Sequence, residues 1–291
     1  MKTNYHTHTT WCDGKDAPEN MIQSALEKNF TVLGFSAHSM GSFSSEWHIK
    51  PQCHKEYIEN IRTLADTYKS SIEILAGFEA DYFPLLSTPS NELYARIKPD
   101  FIIGSVHFLF DEKTMAAVSR KKTGIPYTCF TADGPEEEVR EGIRNVFRGN
   151  AKKAVQTYFS LQRDMIRECS FDIIGHIDVI RKRNSALHFF SENEAWYKRE
   201  LAETAKTASK HNKIVEINTG GIARGILQDS YPSYEFLQIL KTYDVPVCIN
   251  SDAHSAKDLD CAFVLSAEKA KDAGYTERMV LSRGSWKSIP F

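Results

Sequence analysis

The chain has 291 residues, 42% of them hydrophobic and 25% charged, with a formal net charge of −2. That length supports a substantial core, and the near-balanced charge excludes a broad electrostatic grip on nucleic acid or an acidic membrane. No apolar run approaches a membrane span, and "MKTNYHTHTT" lacks the apolar stretch of a secretion signal, so a cytoplasmic protein is expected.

In chain order, "TNYHTH" reads as a first strand, followed by a helix over 18–29 that starts with Pro18 and Glu19. "TVLGFSAH" is the second strand. Tyr57, Ile58, Ile61, Leu64, Ala65 and Tyr68 then recur at helical spacing within 51–70. "EILAGFE" and "DFIIGSVH" are the third and fourth strands. The stretch around 108–135 is long and irregular, and reads as a loop insertion within a single domain covering 1–291. One or two long helices follow over 136–169, then strand "FDIIGHID", helix 192–211, strand "KIVEINTG", helix 233–242, strand "PVCINSDAH" and helix 259–273. No internal repeat or low-complexity segment interrupts the series. Strands alternating with helices predict a parallel α/β fold, either a closed or nearly closed barrel or a doubly wound open sheet.

The polar residues favour the barrel. The strands end in His6 and His8, His38, Glu79, His107, His176 and Asp178, Asn218 and Thr219, and Asp252 and His254. In a parallel barrel the carboxyl ends of the strands open onto one face. Buried apolar strands seldom finish this way for packing alone, because unpaired polar groups cost free energy. Residues i and i+2 of a strand share a side, so His6 with His8, and Asp252 with His254, can each converge on one centre. His48, His54, His188 and His211 sit in loops or helices outside this pattern and read as structural.

The candidate metal ligands are therefore His6, His8, Asp13, His38, Glu79, His107, His176, Asp252 and His254. They exceed the needs of one ion. Two or three divalent ions sharing carboxylates would use them, and a nitrogen-rich, thiol-free set suits Zn, Mn or Fe. The six cysteines are scattered without a CxxC pair and read as reduced thiols; Cys12, beside Asp13, reads as packed.

The elements "HTH", "SAH", "GFE", "SVH", "IGH" and "SDAH", spread over residues 6–254, resemble the signature of the PHP (polymerase and histidinol phosphatase) superfamily. The "CDGK" after HxH resembles its histidinol-phosphate phosphatase branch. The resemblance implies a distorted (β/α)7 barrel that hydrolyses L-histidinol phosphate in histidine biosynthesis. It implies one ion on His6, His8, Glu79 and Asp252, a second bridged by Glu79 and held by His107 and His176, and a third on Asp13, His38 and His254.

The expected chemistry is hydrolysis of a small phosphomonoester by a metal-bridging hydroxide that attacks phosphorus in line. Three divalent ions, three carboxylates and that hydroxide sum to about +2, which suits a phosphate dianion. Arg224, in "NTGGIARG", is the expected phosphate clamp, with Arg183 or Arg181 of "HIDVIRKRN" as the second. Asp252 or a metal-bound water would protonate the leaving group, and Glu46, in the loop after His38, would face a cationic amine. The competing readings are a phosphoesterase acting on a nucleotide or a phosphotyrosine peptide, and a metal-binding module without catalysis. The partner expected is a small phosphate ester, with no nucleic acid and no membrane.

Overall fold

The computed structural model describes residues 1–41, 43–111 and 129–291. Strands β1 (Thr3–Asn4), β2 (Val32–Ser39), β3 (Glu73–Asp81) and β4 (Phe101–Ser105) come first. A short antiparallel pair, β5 (Phe108–Leu109) with β6 (Phe130–Thr131), flanks part of the expected insertion, whose residues 112–128 lie outside the described residues. Strands β7 (Ile173–Ile174), β8 (Ile214–Asn218) and β9 (Val247–Asn250) follow, and β10 (Glu277–Ser282) pairs with β11 (Ser285–Pro290).

The main sheet has seven parallel strands in the order β1-β2-β3-β4-β7-β8-β9. Its two edges meet. Thr7 bridges Ala253 in parallel, the His8 amide donates to the Ala253 carbonyl at 2.9 Å, and the Tyr5 amide donates to Asn250 Oδ1 at 2.8 Å. The result is a nearly closed barrel, and the open-sheet alternative falls.

Helices surround it over Pro18–Glu27, His54–Tyr68, Ala151–Glu168, Ala195–Lys210, Tyr234–Thr242 and Phe263–Asp272. The helical stretch expected over 136–169 divides into Glu136–Asn145 and Ala151–Glu168. Arg148 and Gly149 stand between them at φ 52° and 77°, which a helix cannot continue through, and the Asn150 side chain caps the second helix by accepting from the Lys153 amide at 2.9 Å.

The first and fifth barrel strands are shorter than the sequence indicates, because polar side chains replace the ladder at their ends. The Thr7 amide donates to Ser36 Oγ at 3.1 Å, and the His176 amide to Glu216 Oε1 at 2.7 Å. The C-terminal hairpin was not anticipated. Its Leu281, Met279 and Trp286 pack on Tyr5, Phe101, Ile173 and Ile214 at the amino ends of the strands. Phe101 fills the barrel there against Gly77, where a Cβ would lie 2.5 Å from its ring. One end of the barrel is thus plugged with apolar groups, and the polar strand ends open at the other. No helix among the described residues is long and apolar enough to cross a membrane.

Candidate metal centre

The sheet register places the first pair of functional groups directly. His38 and Glu79 are Cα partners across β2 and β3. His107 and His176 follow β4 and β7, Asp252 and His254 follow β9, and His6 and His8 follow β1. Asp13 arrives on a tight turn in which the Gly14 amide donates to the Thr9 carbonyl at 3.0 Å and the Lys15 amide to the His254 carbonyl at 2.8 Å. A Cβ on Gly14 would lie 2.3 Å from the Thr9 nitrogen, so the turn admits glycine alone.

All of the ligand candidates come together, with the Glu79 carboxylate at the centre. On one side, Glu79 Oε2 lies 2.8 Å from His38 Nδ1, 3.0 Å from His6 Nε2 and 3.5 Å from His8 Nε2. On the other, Glu79 Oε1 lies 2.9 Å from His176 Nε2 and 3.5 Å from His107 Nε2. Asp252 Oδ1 is 3.4 Å from His8 Nε2 and 3.8 Å from His6 Nε2. Asp13 reaches His254 Nε2 at 3.1 Å and His38 Nε2 at 3.7 Å. The groups able to converge on an ion are His6, His8 and Asp252; His6, Glu79 and His176; His38, Glu79 and His107; and His8, Asp13, His38 and His254.

These residues fit divalent cations on a direct observation. His6 Nε2, His8 Nε2, His38 Nδ1 and Glu79 Oε2 are buried, and although they crowd within 2.8 to 3.5 Å of one another none is aligned in a hydrogen bond among the described residues. Burying polar atoms in that state is costly, and here they face one another. The charge pattern shows buried carboxylates that draw positive charge: although burial opposes it, they raise His6, His38 and His107 above their ordinary values, whereas His8 is lowered. Burial alone would raise the Glu79 pKa, yet His38, His6 and His107 hold it well below the usual carboxylate value. Burial and the like charges of His254 and His38 hold His8 well below its ordinary value, which favours the neutral form a metal ligand needs.

A surrounding set of residues orients these groups, most of them outside the strand-end pattern read from the sequence. Glu216 lies 2.9 Å from His6 Nδ1 and accepts from the amides of Asn218 (2.7 Å) and Asn250 (2.8 Å). Asp81 Oδ1 lies 2.7 Å from His107 Nδ1, and Asp81 Oδ2 lies 2.6 Å from His48 Nε2. A carboxylate behind a ligating histidine fixes its tautomer and strengthens it as a donor. Asp81 could have been found, since it stands two residues beyond Glu79 on the same strand face. Glu216 had a weaker signal, a lone charge inside "IVEIN". His48, read as structural, had none.

Over the centre opens a cavity of about 680 Å³, whose walls include His38, Glu46, Trp47, His107, His176, Arg224 and Asp252. Arg224 Nη2 donates to Asp252 Oδ1 at 3.1 Å and lies 2.9 Å from His254 Nδ1. Two backbone features allow this. Asp252 takes a left-handed φ of 52°, uncommon without glycine. A Cβ on Gly220 would lie 2.3 Å from Arg224 Nη1.

The two arginines expected beside Arg224 lie outside the cavity lining. Arg181 lies 2.7 Å from Glu192 and 3.5 Å from Asp178, away from the cavity wall. Arg183 donates through Nε to the Gly134 carbonyl and is not part of the wall either. Lys182, between them, lines the cavity and lies 2.7 Å from Asp133. The short turn Val179–Arg181 rotates neighbouring side chains to different sides, which the spacing of three basic residues does not reveal.

A model of the PHP domain matches residues 4–220. The chain is 24% identical to the histidinol-phosphatase of Bacillus subtilis (strain 168), over 92% of this chain and 99% of that protein. A crystal structure from Listeria monocytogenes superposes with a TM-score of 0.74 at 20% identity, covering 91% of this chain and 99% of that one. The histidinol phosphate phosphatase of Lactococcus lactis, solved with Zn, L-histidinol and phosphate, superposes with a TM-score of 0.67 at 18% identity, covering 98% of each chain.

Proposed function

This chain belongs to the PHP domain family, and on that premise we propose that it is a metal-dependent phosphatase that hydrolyses a small phosphomonoester, L-histidinol phosphate before others, to the alcohol and inorganic phosphate. The carrying observation is the Glu79 carboxylate, flanked on one oxygen by His6, His8 and His38 and on the other by His107 and His176, beneath an open cavity. The relatives named as histidinol-phosphatases support the substrate choice, and histidine biosynthesis is the corresponding role. The family match ends at residue 220, but β9 closes the barrel and brings Asp252 and His254, so we take residues 1–291 as one catalytic unit.

In this reading His6, His8, Asp13, His38, Glu79, His107, His176, Asp252 and His254 hold two or three divalent ions of Zn, Mn or Fe. Such ions, when bound, supply an activated water at neutral pH and stabilise charge on the phosphoryl oxygens. The protein's own groups do the rest. Arg224, held in place by Asp252 and His254, offers a phosphoryl oxygen the N–H groups of its guanidinium that they leave unused. Lys182, also in the cavity wall, brings a second positive charge. Arg224 and His6 hold Asp252 well below the usual carboxylate range although burial opposes them. It therefore stays ionised, and acts as a ligand and proton acceptor rather than as the leaving group's acid. Glu46, exposed on the rim beside Trp47, is placed to accept from a cationic amine of the leaving alcohol.

The test is phosphate release by the Mn- or Zn-loaded protein from L-histidinol phosphate and from a panel of nucleotides, sugar phosphates and phosphotyrosine. A kcat/KM for L-histidinol phosphate far above the panel is expected. Equal, slow turnover throughout removes the substrate assignment, and no turnover at all removes the phosphatase.

A further inference from the structure

Tyr231 stands in the cavity wall beside the metal centre, and nothing in the reaction described so far uses it. It is 2% exposed, and its hydroxyl is buried with no hydrogen-bond partner among the described residues. A buried phenol normally finds an acceptor, because leaving the donor unpaired costs free energy.

The surrounding fold fixes this side chain in place. Its backbone pairs with Asn218 at the end of β8, with N–O distances of 2.6 and 2.9 Å. On either side, Lys269 Nζ holds the same loop, donating to Asp229 Oδ1 at 2.5 Å, Ser230 Oγ at 3.0 Å and the Pro232 carbonyl at 2.6 Å. Burying a lysine to fix one loop is a substantial commitment. Gly221 clears the space in front: a Cβ there would lie 3.0 Å from Tyr231 Oη. The ring stands edge-on to His176, centroids 6.5 Å apart, on the wall that also carries Arg224 and Lys182.

We propose that the Tyr231 hydroxyl donates a hydrogen bond to a non-bridging oxygen of the phosphoryl group, completing with Arg224 and Lys182 a set of three donors around it. This rests on the phosphatase reading for the identity of the ligand. The contact involves no proton transfer. Burial and the nearby Asp133 hold the phenol pKa above its ordinary value, so the group remains a neutral donor through the physiological range. A neutral donor on a fixed loop is already oriented toward the charge spread over the equatorial phosphoryl oxygens in the transition state, and adds no net charge to the free site.

The test is Tyr231→Phe, which removes one oxygen and leaves the ring packing. The metal content should match the wild type. Inorganic phosphate, titrated calorimetrically into the Mn-loaded protein, should bind about tenfold more weakly, and kcat/KM on phosphomonoesters should fall on the order of 10²-fold. An unchanged phosphate affinity overturns the proposal, whether or not turnover falls, and so does a wild-type protein that binds no phosphate. Should the phenylalanine variant fold poorly, Gly221→Ala presses on the phenol instead, its Cβ 3.0 Å from Oη, so that the hydroxyl must shift by a few tenths of an ångström. Its phosphate affinity must also fall, and an unchanged value overturns the contact. If wild-type protein binds phosphate more tightly than the variants but hydrolyses no ester, the contact stands and the phosphatase reading falls.

Discussion

His38 and Glu79 are register partners on adjacent parallel strands, and His38 Nδ1 lies 2.8 Å from Glu79 Oε2. Parallel pairing sets neighbouring side chains side by side on one face of the sheet. The contact is therefore a product of backbone register, and the rest of the centre is arranged around it. Glu79→Gln keeps the shape but removes the charge that joins the two histidine groups. Metal content should fall, and kcat should drop on the order of 10²–10³-fold. Elemental analysis and kinetics on the same preparation check both, and full metal occupancy in the variant would show that Glu79 does not hold the centre together.

Asp81 and Glu216 lie behind His107 and His6, at 2.7 and 2.9 Å, and in the proposed metal centre would act through them. Asp81→Asn and Glu216→Gln should each weaken metal affinity about 10–100-fold, while the folded barrel persists. Competition against a chelator measures this. Affinities equal to the wild type would reduce both carboxylates to packing groups.

Arg224 and Lys182 should behave unlike Arg181. Arg224→Ala and Lys182→Ala are expected to lower kcat/KM about tenfold or more, the scale of a lost hydrogen bond to a charged group, without emptying the metal site. Arg181→Ala strips the buried Asp178 of its cation, and should instead destabilise the fold by about 3–5 kcal/mol. Urea unfolding alongside kinetics separates the two outcomes. A purely kinetic defect in Arg181→Ala would favour the expectation from sequence that this arginine contacts phosphate.

The Asp81–His107 pair should make the metal-free protein pH-sensitive in both directions. Burial would raise Asp81, but His107 and His48 bring it down to about 2. Its contribution is present above the ordinary value of 3.8 and is lost as the pH falls toward 2. Burial would lower His107, but Asp81 and Glu79 raise it to about 10. That contribution is complete below 6.5 and is lost as the pH rises through about 10. Urea midpoints of chelator-treated protein should decline toward both extremes, and Asp81→Asn should flatten the profile. An identical profile in that variant would remove the pair as the cause.

Much of this centre was legible one residue at a time. HxH and DxH have the i, i+2 spacing that puts two side chains on one strand face, and both pairs do meet at the carboxyl end of the barrel. The helical stretch at 136–169 was visible as one or two helices, and the choice between them was not, because Arg148 is an ordinary helix former and a lone Gly149 is tolerated in a helix; both take positive φ only as the chain turns. The C-terminal hairpin was missed because its purpose, sealing Tyr5, Phe101 and Ile173 from water, exists only once the barrel end exists.

By itself, the sequence determined the strand–helix alternation, the polar strand ends and the type of chemistry they carry, since periodicity and residue type are local properties. Tertiary structure alone decided which groups support that chemistry. Glu216 reaches His6 across 210 residues of chain, and His48 meets Asp81 across 33. Lys182 faces the cavity while Arg181 on one side turns to Glu192 and Arg183 on the other to Gly134. Contacts of that kind depend on how the elements pack and on the rotation of a single turn, and neither quantity is written in residue spacing.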